Sequence, residues 1–285
     1  MRIASPTPAS PPVAILGAGA WGQALAYLVE LNQKPTQVWS RSGSLDLGDC
    51  VREAEVVISA ISMKGVPDVI DRLQSFGWER SPIIVTATKG LDRATFQTPS
   101  QLWRSAFPNC PIVVLSGPNL SKEITNGCPA ATTVASNDAE AAARVQTLLN
   151  SDRFRVYTHH DPLGTELGGT LKNTIAIAVG ACDGLQLGTN AKAALITRGL
   201  AEMMRVGAYF GAEMATFSGL SGMGDLIATC NSPLSRNYQV GYRLAQGKSL
   251  EEILSTLVGT AEGIYTTEAV VKLGDREAIP VPIAR

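Results

Sequence analysis

Histidine is scarce in this chain. Only two occur among 285 residues, and they are neighbours, His159 and His160. With no partner cluster they read as junction residues, which sets aside histidine-based triads and most metal sites, so no metal is expected. An excess of charge is also lacking: 24 Lys+Arg stand against 25 Asp+Glu. That leaves no electrostatic footprint for nucleic acid or an anionic membrane surface. No apolar run approaches the roughly 18 residues of a membrane span, so no membrane insertion is expected. Paired cysteines are missing too. Cys50, Cys110, Cys128, Cys182 and Cys230 are odd in number, far apart and without a CxxC spacing. This excludes a disulfide framework or structural zinc and favours reduced thiols in a cytoplasmic protein. The opening MRIASPTPASPP has no apolar core of a signal peptide, and residues 1–12 read as a loose Pro/Ser tail. What remains is a chain with 45% hydrophobic and 17% charged residues, long enough for two domains or one large one.

The first half reads as a nucleotide cradle. Val13 to Leu16 is a short apolar run, followed by Gly17-Ala18-Gly19-Ala20-Trp21-Gly22 and then a helical pattern through Ala24, Leu25, Leu28 and Leu31. Strand, glycine turn and helix come in the order of a Rossmann unit. Gly17 permits the tight turn, Gly19 lets backbone approach a pyrophosphate, and Gly22 lets the helix pack on the strand. The helix N-terminus favours the negative charge. The next strand, Thr36 to Ser40, ends on Ser40-Arg41-Ser42, without the carboxylate usual in an NAD-specific site. Arg41 has the donor fork to grip a 2′-phosphate, so NADPH is expected to be accepted beside NADH; a solvated loop arginine is the alternative.

Further buried strands are expected at Val56 to Ala60, Ile83 to Ala87, Ile112 to Leu115 and Ala131 to Ala135, with helices at Val66 to Phe76 and Asp138 to Leu149. The alternation implies a mostly parallel sheet. Only some fifteen residues separate the second strand from the third, too few for a full αβ unit, so the sheet is shortened at one edge. Beyond the carboxyl ends of these strands, where such sheets bind ligands, lie Thr88-Lys89-Gly90 and Ser116-Gly117-Pro118-Asn119. Lys89 there is a candidate for a phosphate or a substrate oxygen, or else an exposed loop lysine.

From Asp161 onward strand signals cease. Helical patterns run through Ala191 to Phe210, Gln239 to Gln246 and Glu251 to Val258. The fold class that follows is an α/β Rossmann-like domain over 1–158 joined to an all-α domain over 159–285. At the start of the second half, DPLGTELGGTLKNTIAIAVGA opens like a helix, with Asp161 as cap and Pro162 at the first helical position. Its second part is apolar nearly all round, which marks a buried helix. Yet Lys172 and Asn173 sit in its middle, beside the small residues Gly168, Gly169 and Ala176. A lysine enters an interior when it is paired or put to work. Two readings stand side by side: a substrate pocket floored by this helix, or a lysine snorkelling to the surface. Two polar loops follow. Ser221-Gly222-Met223-Gly224-Asp225 puts a carboxylate after two glycines, and Ser235-Arg236-Asn237 offers a guanidinium for a phosphate or carboxylate. Helix capping by Asp225 and a surface Arg236 are the plain alternatives.

Taken together, LGAGAWGQALA, TATKGL, SGPNLSKEITNGCPAA, LGGTLKNTIAIAVGACDGLQLGTNAKAALITRGLAEM, GMGDLIATC, SRN and AEG occur in this order. The sequence thereby resembles the bacterial glycerol-3-phosphate dehydrogenases over Val13 to Ile283. The resemblance implies reduction of dihydroxyacetone phosphate to sn-glycerol 3-phosphate with NADH or NADPH, a step that supplies the glycerophospholipid backbone. It implies Lys172 as the proton-transfer residue, with Lys89 and Asn173 orienting the substrate. Asp225, Ser235, Arg236 and Asn237 match residues around the substrate, and Gly117 and Asn119, placed beyond a strand end, are further substrate-binding candidates. Ala20, Trp21, Arg41, Lys89, Ser121, Arg236 and Glu262 match cofactor-binding positions. A homodimer through the helical domain is implied by the family alone.

Three departures accompany the resemblance. The link between the second and third strands lacks the helix and strand that most relatives carry. Asn119 stands where many relatives have Thr. The chain ends at Pro282-Ile283-Ala284-Arg285 where relatives continue with helical turns, so a truncated helical domain is expected. Two rival readings are a 3-hydroxyacid or 6-phosphogluconate-type dehydrogenase, opposed by the SRN and GMGDL loops, and a non-catalytic NADP(H)-binding protein.

Overall fold

Val13–Leu16 forms β1, buried at all four positions, and hands over through the glycine turn to α1 (Ala20–Leu31). In the computed structural model, which describes residues 12–78, 81–257 and 259–285, the alternation continues. β2 (Thr36–Trp39), α2 (Leu47–Val51), β3 (Val56–Ser59), α3 (Val66–Phe76), β4 (Ile83–Thr86) and α4 (Pro99–Ala106) come first. β5 (Ile112–Ser116), α5 (Ser121–Thr125), β6 (Ala130–Ala135), α6 (Ala139–Leu149) and β7 (Phe154–His159) complete the sheet-bearing half. Of the tail expected over residues 1–12, all but Pro12 lies outside the described residues.

The seven strands pair in the order β2-β1-β3-β4-β5-β6-β7. β1 through β5 are mutually parallel where they pair, β6 runs antiparallel to β5, and β7 runs parallel to β6. The sheet is thus mostly parallel, as the pattern required. β2 is an edge strand, so the sheet ends there on that side. The link behind it is not devoid of helix, however. It holds the five-residue α2, capped by Asp46, whose carboxylate accepts the N–H groups of Gly48 and Asp49. β7 is an addition that the sequence reading did not contain: Phe154 and Val156 point inward while Arg155 and Tyr157 stay in solvent.

Apolar side chains fill both faces of the sheet. Ile15, Leu25, Val85 and Phe154 belong to one layer, and Leu16, Trp39, Ile84 and Trp103 to the other. Each fully buried aliphatic contributes roughly 1.5–3 kcal/mol, which is why the strands read as continuous hydrophobic runs rather than alternating ones.

The second half is helical: α7 (Pro162–Gly184), α8 (Gly188–Tyr209), α9 (Asp225–Asn231), α10 (Arg236–Ala245), α11 (Leu250–Thr256) and α12 (Glu262–Glu277). α7 is its axis. Asp161 caps it by accepting Gly164 N–H at 2.8 Å, and Pro162 takes the first position. The expected helix over Glu251 to Val258 ends at Thr256, and Val258 lies outside the described residues. α7 and α10 cross with their backbones in contact: a Cβ on Gly241 would stand 1.8 Å from the Ile177 carbonyl oxygen. α7 also packs on β5 and β6, which brings its middle against the sheet.

Candidate active site

The cradle at the end of β1 is built by three glycines. Gly17 has φ +119°, a conformation L side chains rarely adopt. A Cβ on Gly22 would lie 1.8 Å from the Gly17 carbonyl oxygen, so the helix seats against the turn only because Gly22 is bare. Gly19 by contrast faces open space and leaves the first N–H groups of α1 without a side-chain cap. An uncapped helix start beside open space suits the pyrophosphate of a dinucleotide. Ala20 and Trp21 open α1. Arg41 stands exposed just beyond β2 and makes no ion pair with any described residue.

Across the carboxyl ends of the strands, two lysines from opposite halves meet on one carboxylate. Lys172 Nζ donates to Asp225 Oδ1 at 2.9 Å, and Lys89 Nζ donates to Asp225 Oδ2 at 2.5 Å. Lys172 also donates to Thr229 Oγ1, which in turn donates to Asp225 Oδ1. The Lys172 side chain is only 9% exposed, and its ammonium is held inside by Asp225, so it does not snorkel to solvent. Asp225 is 3% exposed. It begins α9 but caps nothing; its carboxylate goes to the lysines instead. Lys89 is less enclosed, with its side chain 23% exposed.

The electrostatics follow from this burial. Loss of water pulls the Lys172 pKa down to about 8; Asp225 opposes the change and the neighbouring Lys89 cation adds to it. Burial pushes Asp225 the other way, yet Lys172 and Lys89 outweigh it and hold the carboxyl below the usual range. A lysine that exchanges its proton near neutrality, fixed to a carboxylate whose own pKa is held down, is equipped for proton transfer.

A second cluster lies beside the first. Asn237 Nδ2 donates to Asn173 Oδ1 at 2.8 Å, and Asn237 Oδ1 accepts Gly263 N–H at 3.0 Å. This ties α7, α10 and α12 together. Ser235 caps α10 by accepting Tyr238 N–H at 3.2 Å. Arg236 is exposed and lies over Gly259, where a Cβ would meet its guanidinium at 2.4 Å. Glu262, the first residue of α12, has its pKa raised by burial, against the Met63 backbone and Arg236. Gly117 packs on Thr132, and the Asn119 side chain is engaged by Thr132 Oγ1 at 2.8 Å and the Ala131 carbonyl at 3.2 Å. Ser121 is the first residue of α5, half-buried. His159 and His160 stack on each other at 4.7 Å, and His160 meets Glu213 at the surface.

Thr229 is a member of the site that the sequence motifs do not mark. The available signal was its spacing: it lies four residues after Asp225, one helical turn on, on the same face.

A model of the NAD-dependent glycerol-3-phosphate dehydrogenase C-terminus matches residues 161–285, and a model of its N-terminus matches residues 12–45 and 42–142. The chain belongs to this family. A Synechocystis protein named glycerol-3-phosphate dehydrogenase [NAD(P)+] is 61% identical over 275 residues, covering 96% of this chain and 87% of that protein. The protein of the same name from Acaryochloris marina is 61% identical over 273 residues, 96% of this chain and 88% of its own length. In three dimensions the glycerol-3-phosphate dehydrogenase of Coxiella burnetii superimposes with a TM-score of 0.93 at 32% identity, over 97% of this chain and 93% of that one. The family is one of oxidoreductases with a Rossmann-type NAD(P) domain, which agrees with the open glycine cradle at the end of β1.

Proposed function

We propose that this chain catalyses reversible hydride transfer between NAD(P)H and dihydroxyacetone phosphate, giving sn-glycerol 3-phosphate. The observation that carries the reading is the Asp225 carboxylate shared by Lys172 and Lys89. Family membership and the names of its relatives agree with it. In this reading residues 1–158 hold the nucleotide and 159–285 enclose the substrate.

Gly17, Gly19, Ala20, Trp21 and Gly22 hold the pyrophosphate, with Ser121, Arg236, Lys89 and Glu262 lining the rest of the cofactor's course. Arg41 receives the 2′-phosphate of NADPH. A bound NAD(P)H supplies the hydride. As the ketone carbon gains it, charge builds on the carbonyl oxygen, and Lys172 gives that oxygen its proton and is left neutral. In the reverse direction the neutral amine takes the proton from the alcohol. Lys89 stabilises the developing charge, while Asp225 keeps both cations in place. Asn173 and Asn237 orient the substrate, and Ser235 and Arg236 close on its phosphate together with the Gly117–Asn119 turn. The product suits glycerophospholipid synthesis. The five free cysteines fit a reducing, cytosolic setting, and a homodimer is what the likeness to the family implies.

The test is dihydroxyacetone-phosphate-dependent oxidation of NADPH and NADH by the purified protein, with Lys172→Ala alongside. The parent should turn over, and the variant should lose on the order of 10²–10⁴-fold in rate, the range a general acid contributes. Turnover of a hydroxy acid with none of the phosphorylated ketone would overturn the reading. So would cofactor binding without any turnover.

A further inference from the structure

We infer that Thr170 is a positioning residue for Lys89: its hydroxyl ties the Lys89–Gly90 turn to α7, the helix that bears Lys172, and so sets how the two ammonium groups share Asp225. The inference rests on the reaction proposed above for its kinetic readout only.

The turn that carries Lys89 is held on both sides. On the sheet side, Thr88 Oγ1 bonds the Ile61 carbonyl at 3.0 Å and lies 3.3 Å from Ser59 Oγ. On the helical side, Gly90 N–H donates to Thr170 Oγ1 at 3.0 Å. Both partners of this last bond are buried, and Thr170 is 0% exposed. Gly90 has φ +142°, and a Cβ there would stand 2.9 Å from Met63 Cβ, so the turn requires glycine at this position. The lysine stem then passes over Gly169, where a Cβ would lie 3.1 Å from Lys89 Cε and 2.2 Å from Ser116 Oγ. Gly169 leaves the passage open and Thr170, the next residue, anchors its far end. Lys172 follows two positions later on the same helix. One rigid element thus places Lys172 directly and Lys89 through Thr170.

Without the hydroxyl, Gly90 N–H is a buried donor with no partner, and the turn relaxes to find one. The Lys89 reach to Asp225 Oδ2 changes with it. The glycine cradle sits at the end of β1 and does not depend on this bond.

Thr170→Val keeps the shape and removes the acceptor; Thr170→Ser keeps the acceptor. The valine variant should lose about tenfold in kcat/KM for dihydroxyacetone phosphate, and the serine variant should regain most of the loss. In the free protein, native-state acetylation of Lys89 followed by mass spectrometry should be faster in the valine variant than in the parent or the serine variant. A valine variant that matches the parent in both measurements overturns the inference. A serine variant as impaired as the valine variant does so too, because it marks a packing role. If the parent itself reduced no dihydroxyacetone phosphate, the proposed reaction would fall, and the acetylation comparison alone would decide the tether.

Discussion

Glu166 Oε1 accepts the backbone N–H of Ser100 at 2.9 Å, while its second oxygen takes the Ser100 hydroxyl. The carboxyl is 2% exposed and joins α7 to the first turn of α4. Burial raises its pKa to about 7, against the bonds from Ser100 and Thr98 and the distant charge of Arg104. A carboxyl whose folded pKa lies above its unfolded value contributes stability that is complete below about pH 4.5 and is lost as pH rises through about 7. The loss amounts to about 3 kcal/mol at most. Glu166→Gln should remove it, so urea midpoints of parent and variant should diverge between pH 5 and pH 8, with the variant ahead at pH 8. A constant difference across that range would refute the assignment.

Lys172, with its pKa near 8, gives the two directions of the reaction opposite pH dependence. Ketone reduction needs the ammonium, so its kcat/KM should fall as pH rises through about 8; alcohol oxidation needs the amine and should rise over the same interval. Asp225 is the charge that holds this pKa up. Asp225→Asn should therefore move both limbs to lower pH, in addition to slowing turnover. Profiles with unmoved limbs would show that Lys172 is not the group titrating.

Arg41→Ala tests the nucleotide end. A charge-assisted bond to phosphate is lost, so KM for NADPH should rise roughly ten- to a hundredfold while NADH use stays near the parent level. An equal loss with both cofactors would place Arg41 outside the 2′-phosphate site.

Ala278 ends α12 with φ +54° and ψ +35°, the left-handed conformation that glycine adopts without a Cβ penalty. Ala278→Gly should stabilise the protein by about 0.5–1 kcal/mol, read as a higher melting temperature. A lower melting temperature would mean that the added backbone freedom of the unfolded chain wins.

Where side-chain chemistry is local, the sequence spoke plainly. Asp161 and Pro162 announced the start of α7, and Gly17 through Gly22 announced the cradle, because caps and tight turns depend on the residues that form them. Lys172 was legible as anomalous, a lysine inside an apolar helix. Its pairing with Lys89 through Asp225 spans 136 residues of chain and shows only in the folded molecule, apart from the likeness to relatives. Several elements were hidden for other reasons. β7 is an edge strand with only Phe154 and Val156 fully enclosed, too short an alternation to stand out. α12 buries Gly263 and Thr266 beside Ala269, Val270 and Leu273, so small and polar residues interrupt its apolar stripe. The α2 helix is a single capped turn, and the length of its link had pointed to none.

The reversal of β6 has a consequence for how insertions are tolerated. Because β6 and β7 run against β1–β5, the chain leaves His159 level with the amino end of β5, where His159 pairs with Ala135 and the next residue, Ser136, donates to the Ile112 carbonyl, and α7 must climb the sheet to bring Lys172 to the opposite rim. Eleven residues from Asp161 to Lys172 rise about 16 Å at helical pitch, close to the span of a five-residue strand such as β5. The helix works as a gauge rod cut to the height of the sheet. One residue added or removed between Pro162 and Lys172 rotates the ammonium by about 100° and displaces it by about 1.5 Å. Length variation should therefore be confined to the stretch ahead of Asp161 and to the loops beyond α7.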